Sequence, residues 1–237
     1  MSSNEINAEV GAQSSGAKNG GEQHEADFGQ PVHPRLAGWQ LLLKRVFDLT
    51  VTIAVLPLAV VLGLISAILI RVDSPGAVFF TQRRIGQNGR PFLLYKFRSM
   101  YRDADAIVEK LKDLNEAEGP IFKIKKDPRI TKVGAILRKT SMDELPQLIN
   151  VLKGDMSLVG PRPPLPREVE EYTDYQRGRL AVRPGLTCLW QIQGRSSIPF
   201  DKWVELDLEY IRNQSLWLDL KILLKTIPAV LKGTGAW

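Results

Sequence analysis

From Val46 to Ile70 the chain runs for 25 residues with Asp48 as its only charge. At about 1.5 Å per residue a helix of that length exceeds a hydrocarbon layer of about 30 Å, so contact with lipid is predicted. Pro57 lies near the middle, deletes the amide that would bond to the Ile53 carbonyl, and predicts a kink. Arg35, Lys44 and Arg45 precede the run, and Arg71, Arg83, Arg84 and Arg90 follow it. Basic flanks on both sides give the positive-inside rule no clear direction, and they are best satisfied with both ends on the cytoplasmic face. Length alone favours an ordinary spanning helix. The flanks and Pro57 favour a re-entrant helix that enters and leaves by one leaflet.

Beyond the turn signal Asp73-Ser74-Pro75-Gly76, residues 77–82 and 91–98 are β-prone and bracket Gly86-Gln87-Asn88-Gly89, which predicts a short hairpin. Its cations Arg83, Arg84, Arg90, Lys96 and Arg98 read equally as a solvated face or as phosphate holders. Helical spacing recurs over 101–116 and over 132–139, where Val133, Ile136 and Leu137 share a face. The apolar stretch 216–231 is interrupted by Asp219, Lys221, Lys225 and Pro228, and reads as an interfacial or core helix. The predicted fold is α+β and mostly helical. Residues 1–36 form a polar tail expected to be disordered, 37–72 the membrane helix and 73–237 a cytoplasmic catalytic domain.

Composition narrows this little further. A formal charge of +6 suits an anionic lipid surface as well as nucleic acid. The single Cys188 excludes an internal disulfide and fits a reducing compartment. The start of the chain lacks the basic, apolar and small-residue order of a secretory signal.

Chemistry is concentrated in Ser141-Met142-Asp143-Glu144-Leu145-Pro146-Gln147 and in the residues up to Pro163. Proline is tolerated in the first turn of a helix, so a helix is expected to begin near Asp143 with both carboxylates at its N-terminus. The bland alternative is a cap, either Asp143 itself or a Ser141/Glu144 capping box.

The runs Asp143 to Gln147, Leu152-Lys153-Gly154-Asp155-Met156-Ser157-Leu158-Val159-Gly160-Pro161-Arg162-Pro163 and Val182-Arg183-Pro184-Gly185-Leu186-Thr187 resemble the bacterial sugar transferases, the monotopic phosphoglycosyl transferases. Lys44-Arg45-Val46-Phe47-Asp48 and Tyr95-Lys96-Phe97-Arg98-Ser99-Met100 do so too. The resemblance covers about residues 41–232, with several motifs in the family's order.

It implies a two-step reaction at a bacterial inner membrane. Asp143 attacks the sugar-bearing phosphorus of a UDP-sugar and releases UMP, and polyprenyl (undecaprenyl) phosphate then takes the sugar phosphate. This would open exopolysaccharide or other glycoconjugate synthesis, ahead of downstream glycosyltransferases. A carboxylate with an ordinary pKa of ~3.9 needs no base for that attack at neutral pH. By the same resemblance Glu144 helps bind Mg2+, Arg162 holds phosphate with its planar fork, and Arg138 and Lys96 are basic residues near the site. Asp219 matches an aspartate near that site, and Arg183 and Arg195 match family arginines. Cys188 stands where the family usually has Gly, which predicts strain if the backbone there needs glycine's freedom. Pro57 lies about one turn nearer the N-terminus than the proline of many members.

Two rivals differ in what they predict. A polyprenyl-linked glycosyltransferase would release UDP, and a membrane-anchored binding module would release nothing. No recognisable nucleic-acid motif supports the second, and nucleic acid is not expected as a partner.

Overall fold

The computed structural model describes residues 33–107, 111, 115–116, 119–122, 124, 126–194 and 198–232. The expectation of a disordered tail falls outside them for residues 1–32. Within them, Leu36 is buried, and the Arg35 amide donates to the Ile211 carbonyl at 3.3 Å.

Helix α1, Trp39–Asp73, contains the whole apolar run and continues through Pro57. Its burial is the reverse of a soluble helix. Lys44, Asp48, Thr52, Ser66 and Ile70 are turned inward, whereas Ile53, Leu58, Val61, Leu64, Ile68 and Val72 are exposed. Only 11% of its most apolar window is buried, so this is not the core helix of a soluble fold. Its outer surface is an apolar patch that calls for lipid.

Polar and charged groups fasten both ends of α1 to the rest of the chain. Lys44 Nζ donates to Asp219 Oδ2 at 2.6 Å and lies 3.6 Å from Asp48. Arg45 donates to the carbonyls of Val151 and Leu152, and Asp48 accepts from the Leu158 amide. At the other end Asp73 accepts from the Val133 amide, Arg98 donates to the carbonyls of Ser74 and Pro75, and Ile70 packs with Phe97 and Leu137. Between these anchors, residues 53–55 and 57–58 are exposed. The basic flank is therefore not a uniform surface. Lys44 and Arg84 are buried and Arg45 is committed to carbonyls at the end of a helix.

The hairpin forms as an antiparallel pair, β1 Phe79–Ile85 and β2 Pro91–Phe97, with Phe79 opposite Phe97 and Ile85 opposite Pro91. Asn88 and Gly89 turn it with positive φ. The helix expected over 101–116 is not present in its described part. Met100 bridges Ile130 and the Tyr101 amide donates to the Arg129 carbonyl, which keeps the backbone extended where that helix would start; a 3-10 turn follows at Asp105–Ile107.

Helix α2, Lys132–Lys139, matches its expected bounds and is capped by Thr131, whose hydroxyl accepts from the Gly134 amide. It turns Gly134 and Leu137 inward and leaves Ile136 exposed, so the expected apolar face is only partly its packing face. A 3-10 turn, Met142–Gln147, leads into α3, Leu148–Lys153. Strand β3, Ser157–Val159, pairs in parallel with β4, Gly185–Thr187. Short helices α4, Pro166–Glu170, and α5, Asp174–Arg177, lie between them, and α6, Leu189–Gln193, follows.

The main core gathers Val151, Met156, Val159, Trp190, Trp203, Leu208 and Ile211 from these elements and from α7, Phe200–Asn213. Helix α8, Leu216–Lys232, buries Asp219 and Ile222 and exposes Trp217, Leu220, Leu224 and Ile227, the amphipathic pattern of an interfacial helix.

Removing one member of the buried Lys44–Asp219 pair leaves an uncompensated charge, a loss of ~3–5 kcal/mol. Lys44→Met is expected to lower the thermal midpoint in detergent markedly, and Lys44→Met combined with Asp219→Leu to recover part of it. Equal midpoints for Lys44→Met and the unaltered protein would remove this pair as an anchor.

Candidate active site

The loop carrying Arg162 is built by a close meeting of two motifs. Gly160 and Gly185 face each other at the ends of β3 and β4: a Cβ on Gly185 would lie 2.1 Å from the Gly160 nitrogen, and one on Gly160 would lie 2.5 Å from the Arg183 carbonyl. The Gly160 amide donates to Thr187 and the Gly185 amide to Pro161. No side chain fits between these backbones, which explains both glycines. The chain leaves this junction through Pro161, Arg162 and Pro163, directed by fixed proline φ angles.

Asp143 and Glu144 sit in the 3-10 turn just after Ser141, whose φ of 55° is left-handed and unfavourable for a residue with a Cβ. The capping-box reading is corrected here. The Ser141 side chain caps nothing, and the Glu144 carboxylate accepts from Lys96 Nζ at 2.8 Å. Lys96 also stands 3.9 Å from Asp143. Asn150 sets this distance: its amide side chain accepts from the Tyr95 amide and donates to the Leu93 carbonyl, docking α3 along β2 like a missing strand neighbour. Arg138, on α2, donates from Nε to Ser99 Oγ, and its charge acts on Asp143.

The two carboxylates are driven apart electrostatically. Burial pushes the Asp143 carboxyl up to about 6, with the Lys96 charge opposing and the Glu144 charge adding to the rise. For Glu144 burial also acts upward, but the charge and hydrogen bond of Lys96 outweigh it and hold the group below its usual range. With its carboxyl raised to about 6, Asp143 still favours the ionised form at neutral pH.

An open cleft beside the pair is lined by Arg84, Lys96, Glu144, Gln147, Arg162 and Gln191, with Leu94, Leu186 and Cys188 among its apolar walls. The structure therefore brings Asp143, Glu144, Lys96 and Arg138 together, and of these Glu144 and Lys96 line the cleft with Arg162 while Asp143 lies buried behind them. Asp219 belongs to a different network: besides Lys44 it accepts from the Tyr210 hydroxyl at 2.8 Å, and Tyr210 also reaches the Val159 carbonyl. Arg183 is exposed, and Arg195 lies outside the described residues. Cys188 is not strained. Its φ of −151° is ordinary extended backbone, open to any residue, and its thiol is buried and neutral because burial pushes its pKa well up.

Among the described residues no group of three or more acidic, His or Cys side chains is gathered for a metal. Glu144, the carboxylate that lines the cleft, would be the protein ligand for Mg2+, with water and phosphate oxygens completing its shell, once Lys96, which holds that carboxylate at 2.8 Å, gives way.

Sequence reasoning left Arg84 undistinguished among the hairpin cations, read equally as a solvated face or as phosphate holders, and it missed Gln147 and Gln191. Strand alternation held a signal for Arg84, because Gln82, Arg84, Leu94 and Lys96 share one face of the hairpin.

The family model for bacterial sugar transferases matches residues 39–233. Galactosyl transferase CpsE of Streptococcus agalactiae serotype III (strain NEM316) is 50% identical over 197 residues, 83% of this chain and 44% of that protein. Exopolysaccharide production protein ExoY of Rhizobium meliloti (strain 1021) is 42% identical over 200 residues, 83% of this chain and 88% of that protein. Undecaprenyl-phosphate galactose phosphotransferase of Salmonella typhimurium is 43% identical over 203 residues, 82% and 42% respectively. The chain thus spans less than half the length of two of these relatives and most of the third. With the family model matched from the start of α1 to the end of α8, the chain belongs to the bacterial sugar transferase family.

Proposed function

We propose that the protein transfers a sugar 1-phosphate from a UDP-sugar to polyprenyl phosphate, undecaprenyl phosphate in particular, as the first membrane-bound step of exopolysaccharide or other glycoconjugate assembly. The observation that carries the reading is Asp143, a buried carboxylate ionised at neutral pH and surrounded by Lys96, Arg138 and the cleft of Arg162. Kinship with a protein named for undecaprenyl-phosphate galactose phosphotransfer supports the choice of acceptor.

In the first step an Asp143 oxygen bonds to the sugar-bearing phosphorus, and the bond from that phosphorus to the bridging oxygen breaks. UMP leaves with the electron pair. In the second step an oxygen of polyprenyl phosphate bonds to the same phosphorus, and the carboxylate of Asp143 is restored. Arg162 holds phosphate oxygens as charge redistributes, and Lys96 and Arg138 offset the carboxylate charge as the diphosphate approaches. Mg2+, when bound at Glu144, supplies further positive charge against the repulsion between Asp143 and the diphosphate. A nucleophile that is already ionised removes the need for a base.

The membrane arrangement follows from the same chemistry. A cytosolic UDP-sugar and a lipid headgroup must meet at one cleft, so the catalytic part faces the cytoplasm. Anchors to one body at both ends of α1, with exposed positions around Pro57 between them, support re-entrance through the cytoplasmic leaflet.

Purified protein given UDP-sugars and undecaprenyl phosphate is expected to release UMP and form a polyprenyl-diphosphate sugar, and Asp143→Asn to release none while remaining folded. The kcat/KM is expected to fall as pH drops through about 6, because protonation of Asp143 removes the nucleophile. Release of UDP would select the simple glycosyltransferase, and undiminished UMP release by Asp143→Asn would exclude this nucleophile.

For topology, single cysteines at Ser14 and Asn88 in a Cys188→Ala background are both expected to resist an impermeant thiol reagent in intact spheroplasts and to react after lysis. Labelling of the Ser14 position alone in intact cells would make α1 a spanning helix.

A further inference from the structure

The cleft contains a cation that the reaction described above leaves without a task. Arg84 projects from the inner face of β1 with 7% of its surface exposed. Its partners are all neutral: Nη1 donates to the Pro163 carbonyl at 2.9 Å, and Nε and Nη2 donate to Gln82 Oε1 at 3.1 and 2.6 Å. Among the described residues no carboxylate lies within the 4.0 Å of an ion pair with it. The acids whose charge reaches it, Glu168 and Glu144, are engaged elsewhere, with the Leu165 amide and with Lys96.

A guanidinium kept from water without a counter-ion is costly. Burial, and next the nearby charge of Arg162, push the Arg84 pKa down to about 10, so it stays protonated at neutral pH nonetheless. The cleft holds Arg84, Lys96 and Arg162 against Glu144, whose carboxylate Lys96 already occupies. An anion is the missing component. Of the five guanidinium N–H groups, three are used, and one remains on each terminal nitrogen. Two such donors suit two oxygens of one phosphate.

We infer that Arg84 is a second phosphate-holding arginine, binding a phosphate group in the same cleft as Arg162. The phosphate belongs to the donor diphosphate or to the headgroup of the lipid acceptor. The inference rests on the proposed phosphoglycosyl transfer for that choice of sources, and the excess of buried positive charge stands independently of it. Arg83, the next residue on the same strand, is exposed on the opposite side and serves as a control of equal charge.

The test measures binding to full-length protein in detergent by calorimetry, with UDP as the donor probe and farnesyl phosphate as the acceptor probe. Arg84→Gln is expected to weaken one of them by about ten- to a hundredfold, the scale of a charge-assisted hydrogen bond, while Arg83→Gln binds as the unaltered protein does. Loss confined to UDP assigns the donor, and loss confined to farnesyl phosphate assigns the acceptor. Arg84→Lys keeps the charge without the planar fork, and it is expected to lose affinity severalfold at an unchanged thermal midpoint, which separates binding from folding. Unaltered affinity for both probes in Arg84→Gln or in Arg84→Lys, equal loss in Arg83→Gln, or no binding of either probe to the unaltered protein would each overturn the inference. Binding that depends on Arg84 in a protein releasing no UMP would contradict the transfer reaction alone. UMP release with binding indifferent to Arg84 would contradict the second arginine alone.

Discussion

Lys44 stands on a helix whose apolar residues face outward, yet its ammonium is buried at 2.6 Å from Asp219. The carboxylate of Asp219 is shared with the Tyr210 hydroxyl, and Tyr210 in turn reaches the carbonyl of Val159. Asp48, one helical turn beyond Lys44, accepts from the amide of Leu158. A chain of buried polar contacts therefore runs from a surface that needs lipid to the strand that leads into Gly160, Pro161 and Arg162. Such contacts do not add much net stability over apolar packing, but their directionality admits one arrangement, and breaking any one leaves an expensive orphan. The position of the cleft relative to the lipid-facing helix depends on that chain.

The cleft itself is organised by charge that is only partly balanced. Burial raises the free energy of the ionised Asp143, and the same low-polarity surroundings strengthen its attraction to Lys96 and Arg138. Glu144 and Lys96 satisfy one another, while Arg84 and Arg162 add positive charge near them. The packing that enforces this is rigid in its backbone. Two glycines without space for a Cβ join β3 to β4, Asn150 bonds α3 to β2, and a left-handed Ser141 turns the chain into the 3-10 segment. Catalytic groups held by backbone contacts of this kind lose little entropy when a substrate arrives.

Much of this was legible in the sequence wherever a signal was local. The unbroken apolar run gave α1, the Gly-Gln-Asn-Gly turn gave the hairpin, and the periodicity of residues 132–139 gave α2 to the residue. The carboxylate pair and Arg162 stood out through motifs, and the structure joins them to Lys96 and Arg138. What failed depended on distant partners. Tyr101 could not begin a helix because Arg129 and Ile130 hold the preceding backbone extended, contacts about thirty residues away. Ser141 and Glu144 had the spacing of a capping box, but a lysine from β2 claimed the glutamate. Lys44 and Arg45 read as flank charges, whereas their partners, Asp219 and the end of α3, could be named only from the fold. Arg84 could not be told from the other hairpin cations for the same reason, since a basic hairpin reads equally as a solvated face until something covers one side of it.

Passage of the sugar phosphate through Asp143 is the step on which the proposed reaction turns. Protein incubated with UDP-galactose and Mg2+ in the absence of any lipid acceptor, quenched in acid and digested, allows the peptide containing Asp143 to be weighed by mass spectrometry. A hexose-phosphate increment is expected on Asp143, formed with an equivalent amount of UMP and lost when undecaprenyl phosphate is added before the quench. Efficient transfer to the lipid with that peptide unmodified at every time point, and unmodified with any UDP-sugar that the protein turns over, would contradict passage through Asp143.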